Sequence, residues 1–408
     1  MNAVSSALIR ARSRRASGII NYSDARNRAK RVLPRGLFDY VDGGAEDEIT
    51  MRRNVDAFQE VSFRPRVGTV NPEPNLATSV LGTPISMPVL TAPCGGMRLV
   101  HPDGDIGVAS AAAKAGTIHV ATSASSYSLE EIATRSTSGP KWFQLYRFSS
   151  GQLMEDLVHR AQAAGYEAMV VTVDTPVSGN REKDFKNGFT YNMRVNPSNA
   201  IRMAPQMAMH PGWVYRFVRD GMPFQMSNTL GPNGEPMLLT AMSHLSQETH
   251  SPTWEHVPWI RENWKGPMLI KGILTAEDAR RSADAGADGI VVSNHGGRQL
   301  EGAPSTIEVL PEIVDAIGDR LEVLLDSGVR RGNDVLRAVA LGAKAVLVGR
   351  FAMFGLAAGG QAGVEQMLSV IRSDMVRSMR LMGATSVADL DRTWVASHAS
   401  QRSGGAAS

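Results

Sequence analysis

The stretch GIVVSNHGGRQLEG, residues 289–302, runs from a β-branched segment directly into His295, two glycines and Arg298. A histidine ending a buried strand can carry a proton near neutral pH. A fixed guanidinium beside it can hold an anion, and the glycines admit a ligand where a side chain would block it. Other apolar runs end in residues of the same kind: Gln144 and Tyr146 in WFQLY, Thr172 and Asp174 in VTVD, Lys271 in MLIKG, Asp326 in LLDSG, Gly349 and Arg350 in VLVGR. Asp174 is suited to stabilise a protonated His295. Arg298, Arg181 and Tyr40 are suited to clamp a carboxylate, the arginines by two-point contact, and Tyr146 offers a hydroxyl to a second substrate oxygen. Lys271 is costly to bury without a task and suits an anion that forms during reaction. DSGVRRG and VGR resemble the ends of barrel strands that bind phosphate through loop amides and an arginine. A base, a carboxylate clamp and a phosphate site together indicate a phosphate-bearing cofactor acting on a small acid. The competing structural roles are a turn residue for Asp174 and solvated or salt-bridged charges for Arg181 and Arg298; Lys271 has the weakest structural excuse.

These residues need a scaffold that gathers strand ends. Eight short apolar runs, within 86–93, 117–123, 141–146, 167–174, 266–272, 288–294, 321–328 and 343–350, alternate with segments of helical spacing such as GQLMEDLVHRAQAAG. Eight strand–helix units predict an α/β fold, a (β/α)8 TIM barrel, whose active site lies at the C-terminal ends of its strands. An open doubly wound sheet would carry a glycine fingerprint after its first strand, and none stands there. The spacing breaks once: a long insert follows the fourth strand, its core at about 185–258. It includes IRMAPQMAMHPGWVYRFVRDGMPFQMSN, in which Trp213, Tyr215, Phe217 and Met226 mingle with Arg202, Arg216 and Arg219. Such a segment suits a lid, a subunit contact or a membrane surface. Expected boundaries are a basic disordered tail over 1–20, the barrel over 21–385 and a C-terminal tail over 386–408.

Composition narrows the function classes. Among 408 residues, 43 basic side chains stand against 40 acidic ones, a net charge of +3 without a basic stripe, which argues against nucleic-acid binding. One cysteine, Cys94, excludes an internal disulfide and a cysteine zinc site, and no metal is expected. Cys94 reads as a packing residue near the first strand end. The Arg- and Ser-rich start fits a transit peptide or a basic tail, and the tail reading is adopted.

Several motifs carry a resemblance. SNHGGRQL, FDYVDGGAEDE, WFQLY, TVDTPVSGNRE, IKGI and LLDSGVRRGNDV are similar to those of the FMN-dependent (S)-2-hydroxy-acid dehydrogenases and oxidases. YVDGGA, GPMLIKGIL and HPGW give the strongest likeness to the bacterial respiratory L-lactate dehydrogenase branch. The resemblance covers about Asn21 to Leu381. It implies His295 as catalytic base with Asp174 behind it, Tyr40, Arg181 and Arg298 on the substrate carboxylate, and Tyr146 on its hydroxyl. It further implies flavin contacts from Pro93, Cys94, Gly95, Thr122, Gln144, Thr172 and Lys271, with Asp326, Gly328, Arg330, Gly349 and Arg350 holding ribityl and phosphate. Gly95 replaces the alanine of typical oxidases, and Ala124 stands where glycolate oxidase has tryptophan; both enlarge the substrate side.

The implied activity is oxidation of an L-2-hydroxy acid, L-lactate first, to the 2-keto acid. Electrons would pass to a quinone or cytochrome, from a homotetramer held peripherally on the cytoplasmic side of the membrane. No cytochrome-like segment precedes residue 21, so no haem domain is expected. The alternatives are an oxidase using oxygen, a mandelate-type dehydrogenase, and a flavin-binding membrane scaffold without chemistry. Proton removal from the α-carbon and removal from the hydroxyl with hydride transfer both remain open.

Overall fold

A computed structural model describes residues 18–69, 72–146, 151–187, 204–230, 236–238 and 251–397. Eight parallel strands close into a barrel: β1 (Val89–Thr91), β2 (His119–Thr122), β3 (Lys141–Leu145), β4 (Ala168–Thr172), β5 (Met268–Ile273), β6 (Gly289–Val292), β7 (Glu322–Leu325) and β8 (Ala345–Val348). Closure is made by β8 pairing with β1, Val346 opposite Val89. Seven strands fall within their apolar runs and β5 extends one residue past its own, to Ile273; the fold is the (β/α)8 barrel expected.

The strands read as unbroken apolar runs because both of their faces are buried. Leu90, Val120, Trp142, Leu269, Val291 and Leu324 fill the barrel interior. Their sequence neighbours, such as Ala121, Phe143, Ile270 and Val292, pack outward against the helices. A hairpin of Thr78–Val80 and Thr83–Ile85 closes the N-terminal end, where Val80 and Ile85 join the interior cluster. The enclosing helices are α1 (Gly104–Lys114), α2 (Leu129–Arg135), α3 (Gly151–Ala163), α4 (Val257–Asn263), α5 (Ala276–Asp284), α6 (Thr306–Ile317), α7 (Gly332–Ala340) and α8 (Gln361–Met382). Their starts are locally encoded: Ser128 and Glu131 form a capping box at α2, and the Thr275 hydroxyl accepts from the Asp278 amide at α5. A short extra helix, Arg350–Gly359, follows β8 directly.

Two segments differ from the expected boundaries. The chain stays folded beyond 385: Val395–Ser397 pairs antiparallel with Val61–Phe63, and Trp394 is buried. Of the expected N-terminal tail, residues 1–17 lie outside the described residues, while Ile19 is buried in the helix layer. In the insert, helix Pro211–Arg219 leads to strand Gln225–Leu230, which pairs with Pro236–Leu238. Trp213, Phe217 and Met226, which composition alone offered as a membrane face, turn inward and are buried. An aromatic side chain with a polar atom gains by docking on protein that accepts its N–H, and the Trp213 indole donates to the Leu99 carbonyl at 2.8 Å. The outward residues are Met209, Tyr215, Val218 and Met222, each more than half exposed. Arg202 lies outside the described residues. Among the described residues, no helix is long and apolar enough to cross a membrane.

Candidate active site

Strand register decides which polar residues meet. Thr122 lies opposite Gln144 across β2 and β3, and Thr172 opposite Lys271 across β4 and β5. Together with the loops after β6, β7 and β8 they surround one cavity at the C-terminal ends of the strands. Every site residue expected from the sequence lines this cavity with the exception of Asp174. Asp174 stands directly behind His295: the His295 Nδ1 to Asp174 Oδ1 distance is 3.0 Å. Its close approach requires Gly272, a β-bulge residue at φ +110° where a Cβ would fall 2.5 Å from the Asp174 Cβ.

Burial alone would raise the Asp174 carboxyl, but His295 and Lys271 pull it below the ordinary carboxylate range. Asp174 is therefore ionised and suited to accept from His295 Nδ1, and in the tautomer that carries its proton on Nδ1 the Nε2 atom is the acceptor. The Tyr146 hydroxyl lies 3.4 Å from that nitrogen. Lys271 Nζ donates to Ser293 Oγ at 2.9 Å and sits 3.3 Å from Asp326 and 3.9 Å from Asp174. Burial would lower the Lys271 pKa, yet the two carboxylates raise it, so the ammonium persists.

Across the cavity, Arg181 and Arg298 flank the Tyr40 ring, their guanidinium carbons 5.8 and 5.2 Å from its centroid. Arg298 Nη1 donates to the carbonyls of Tyr40 and Gly43, which fixes the group and leaves its other edge for a ligand. Burial and the neighbouring Arg298 push Arg181 down to about 10. Two guanidiniums held together in a buried place invite an anion, and a carboxylate satisfies both.

The chemistry of the remaining donors fits FMN. Gln144 Nε2 and Thr172 Oγ1 are buried with no hydrogen-bond partner among the described residues, as expected of groups meant for the polar edge of a bound ring. The Thr122 hydroxyl donates to Gln144 Oε1, which orients the amide so that Nε2 faces the cavity side. At the far end, Arg330 and the Gly349 start of helix Arg350–Gly359 supply positive charge and amide donors. Arg350 commits all three guanidinium nitrogens to the carbonyls of Val41, Gly296 and Gly43, so it ties loops together as well as lining the cavity. Burial pushes the Cys94 thiol up to about 11, consistent with a packing role.

Sequence reasoning passed over three contributors. Ser293 anchors Lys271, Ser327 accepts from the Gly296 amide at 2.9 Å, and Gln299 donates to the Asp174 carbonyl at 3.2 Å. All three adjoin motif residues, and their position was the available signal. His295 and Ser327 share a further property: both have positive φ, 57° and 70°, and Gly296 and Gly297 continue the left-handed path after His295. Such a conformation is rare outside glycine and is typical of functional turns.

A family model described as FMN-dependent dehydrogenase matches residues 29–397. The L-lactate dehydrogenase of Caulobacter sp. (strain K31) is 42% identical over 380 residues, covering 93% of this chain and 98% of that protein. The peroxisomal (S)-2-hydroxyacid oxidase GLO4 of Arabidopsis thaliana is 39% identical over 377 residues, 92% and 96% of the two chains. Among solved structures, a monotopic membrane protein, (S)-mandelate dehydrogenase, superposes with a TM-score of 0.87 at 37% identity, covering 93% of this chain and 100% of that one. An imidazole, a guanidinium pair and the unpartnered Gln144 and Thr172 donors thus share one cavity in a chain whose likeness extends over nearly its full length, and the chain belongs to the FMN-dependent dehydrogenases.

Proposed function

We propose that this enzyme oxidises an L-2-hydroxy acid, L-lactate first, to the corresponding 2-keto acid. The observation that carries the reading is the gathering of His295 and the Arg181–Arg298 pair in one cavity, with Asp174 fixed behind the imidazole. Arg181, Arg298 and the Tyr40 hydroxyl bind the carboxylate and set C2 and its hydroxyl toward His295 and Tyr146. The substrate loses two electrons and two protons: His295 Nε2 takes one proton, from the α-carbon or from the hydroxyl, the other leaves with the electron pair as hydride or passes to solvent, and Asp174 stabilises the imidazolium that results. FMN, when bound, supplies the two-electron acceptor. Gln144, Thr172 and Lys271 hold its polar edge, and the Lys271 ammonium favours the added negative charge.

Electrons then pass to a quinone or cytochrome, with the protein a tetramer attached peripherally to the cytoplasmic face of a membrane. The outward Met209, Tyr215, Val218 and Met222 of the insert support attachment. Bulkier acids form a second reading, supported by Gly95 and Ala124, which face one another at the substrate side. Mixing the holoenzyme anaerobically with L-lactate, glycolate, (S)-mandelate and longer 2-hydroxy acids tests the assignment through bleaching of the flavin. No bleaching by any of them rejects it. Reoxidation by air that outpaces reoxidation by a quinone turns the dehydrogenase into an oxidase.

A further inference from the structure

Two segments on the arc of the barrel across from β6 bring Gly95 and Ala124 to the cavity: the turn 93–96 after β1 and the loop 123–127 after β2. They touch at their tips, where a Cβ on Gly95 would lie 3.3 Å from the Ala124 Cβ. Neither tip belongs to the strand ladder, so something else must hold their separation.

Arg98 stands at the junction. Its Nη1 donates to the Ser126 carbonyl at 3.4 Å, and its guanidinium lies over the Tyr127 ring, 4.3 Å from the centroid. Its Nε donates to the Asp220 carboxylate at 3.0 Å and its Nη2 to the Asp220 carbonyl at 3.2 Å. Asp220 ends the insert helix Pro211–Arg219, the helix whose Trp213 donates to the Leu99 carbonyl. The following insert strand is laced along the same loop. Ser227 donates its amide to the Ser125 carbonyl at 3.1 Å, Asn228 Nδ2 donates to the Tyr127 carbonyl at 3.1 Å, and Asn228 Oδ1 accepts from the Leu129 amide at 2.9 Å. Asn228 is wholly buried. The Arg98 and Asp220 side chains are only 20% and 19% exposed, so this contact holds its geometry better than a surface ion pair would.

We propose that residues 213–229 clamp the substrate wall, and that Arg98 and Asp220 are positioning residues that set the Gly95–Ala124 gap and thereby the size of acid side chain accepted. The inference rests on reading the cavity as a 2-hydroxy-acid site. His295 and Lys271 hang from β6 and β5, away from these segments, so loosening the clamp alters the fit of the acid's side chain and leaves proton transfer in place. A methylene of pocket space is worth about tenfold to two-hundredfold in discrimination, so a small wall movement is readable as selectivity.

The test compares specificity constants for (S)-mandelate and L-lactate, from anaerobic bleaching of the holoenzyme, in the parent, Asp220→Ala, Asp220→Glu and Arg98→Ala. Asp220→Ala shifts the mandelate-to-lactate ratio toward mandelate by roughly fivefold or more. FMN content and the limiting bleaching rate with lactate stay within about twofold, and Asp220→Glu restores most of the parent ratio. Arg98→Ala shifts the ratio similarly, and adding it to Asp220→Ala shifts it little further, the signature of two residues acting through one contact. A ratio within about twofold of the parent in Asp220→Ala overturns the clamp even if Arg98→Ala fails to fold. If the parent flavin is bleached by no 2-hydroxy acid, the functional reading falls and the clamp with it; bleaching with an unchanged ratio removes the clamp alone.

Discussion

The strand ends and the insert reach the same cavity from two sides and hold their residues by different means. Thr122, Gln144, Thr172 and Lys271 project from neighbouring strands whose main chains pair in register. One of these residues cannot move without disturbing a closed eight-stranded ladder. Over residues 211–229 the insert reaches the wall mainly through side chains: Trp213 to the Leu99 carbonyl, Asn228 to the main chain of Tyr127 and Leu129, and the Asp220 carboxylate to the Arg98 guanidinium. Groups that need sub-ångström placement sit on the ladder or in the short turns that end its strands. Fit and outward contact sit on a segment that can vary without unravelling it.

Replacing the base is the hardest strike at the ladder side. His295→Gln should retain FMN and slow flavin reduction by about 10²–10⁴-fold in stopped-flow mixing with saturating L-lactate. A rate close to the parent's would move the chemistry off the strand ends. Arg298→Lys comes next, because a lysine cannot both bond the Tyr40 and Gly43 carbonyls and present a planar edge to a carboxylate. Steady-state kinetics should show kcat/KM lower by roughly tenfold to hundredfold, the worth of one charged hydrogen bond. An unchanged value would make the Arg298 position a matter of loop structure alone.

On the insert side, Val218→Ser with Met222→Ser removes two outward apolar side chains and leaves the clamp contacts of Trp213, Asp220 and Asn228 in place. Sedimentation with anionic liposomes should weaken by roughly thirtyfold, given about 1 kcal/mol for each of the two partly buried side chains, while bleaching by L-lactate is unaltered. Equal sedimentation of parent and variant would detach the outer face from any lipid role.

The smallest effect concerns the support that the wall loop receives from the barrel. Asp105, buried at the start of α1, accepts from Ser125 Oγ at 2.7 Å, and burial pushes its carboxyl up to about 6 from an ordinary 3.8. The folded state thus keeps a proton that the unfolded chain has released. This group's contribution to stability is full below about pH 4 and is lost as pH rises through about 6. Asp105→Asn should flatten the fall in Tm across that window by a few degrees relative to the parent, at roughly 1–2 °C per kcal/mol in a chain of this length. Parallel profiles would mean that Asp105 does not titrate there.

The contrast between the two sides also explains what could be read from the sequence. Each strand is a short apolar run closed by a polar residue, a local pattern, so the barrel and residues such as Lys271 and His295 were legible. The alternation of helix and strand placed those ends on one face without knowledge of any contact. Insert residues have no such period. Trp213 and Phe217 look like surface anchors until the barrel supplies Leu99 and the helix layer to cover them. Arg98 and Asp220 are separated by 122 positions, and nothing in either neighbourhood announces the other. The Val395–Ser397 strand was likewise hidden, because three residues carry no pattern and its partner, Val61–Phe63, is at the opposite end of the chain.

The left-handed turn at His295 has a consequence for how this protein drifts under selection. An L-residue in that conformation forgoes about 1–2 kcal/mol that glycine would keep, and the base pays it beside a second such residue, Ser327. Random variation screened only for heat resistance would therefore favour glycine or asparagine at 295 and discard the imidazole. On the proposed reading catalytic demand keeps the histidine there, and a lineage released from that demand should lose it early, while the barrel persists as a stable, silent shell.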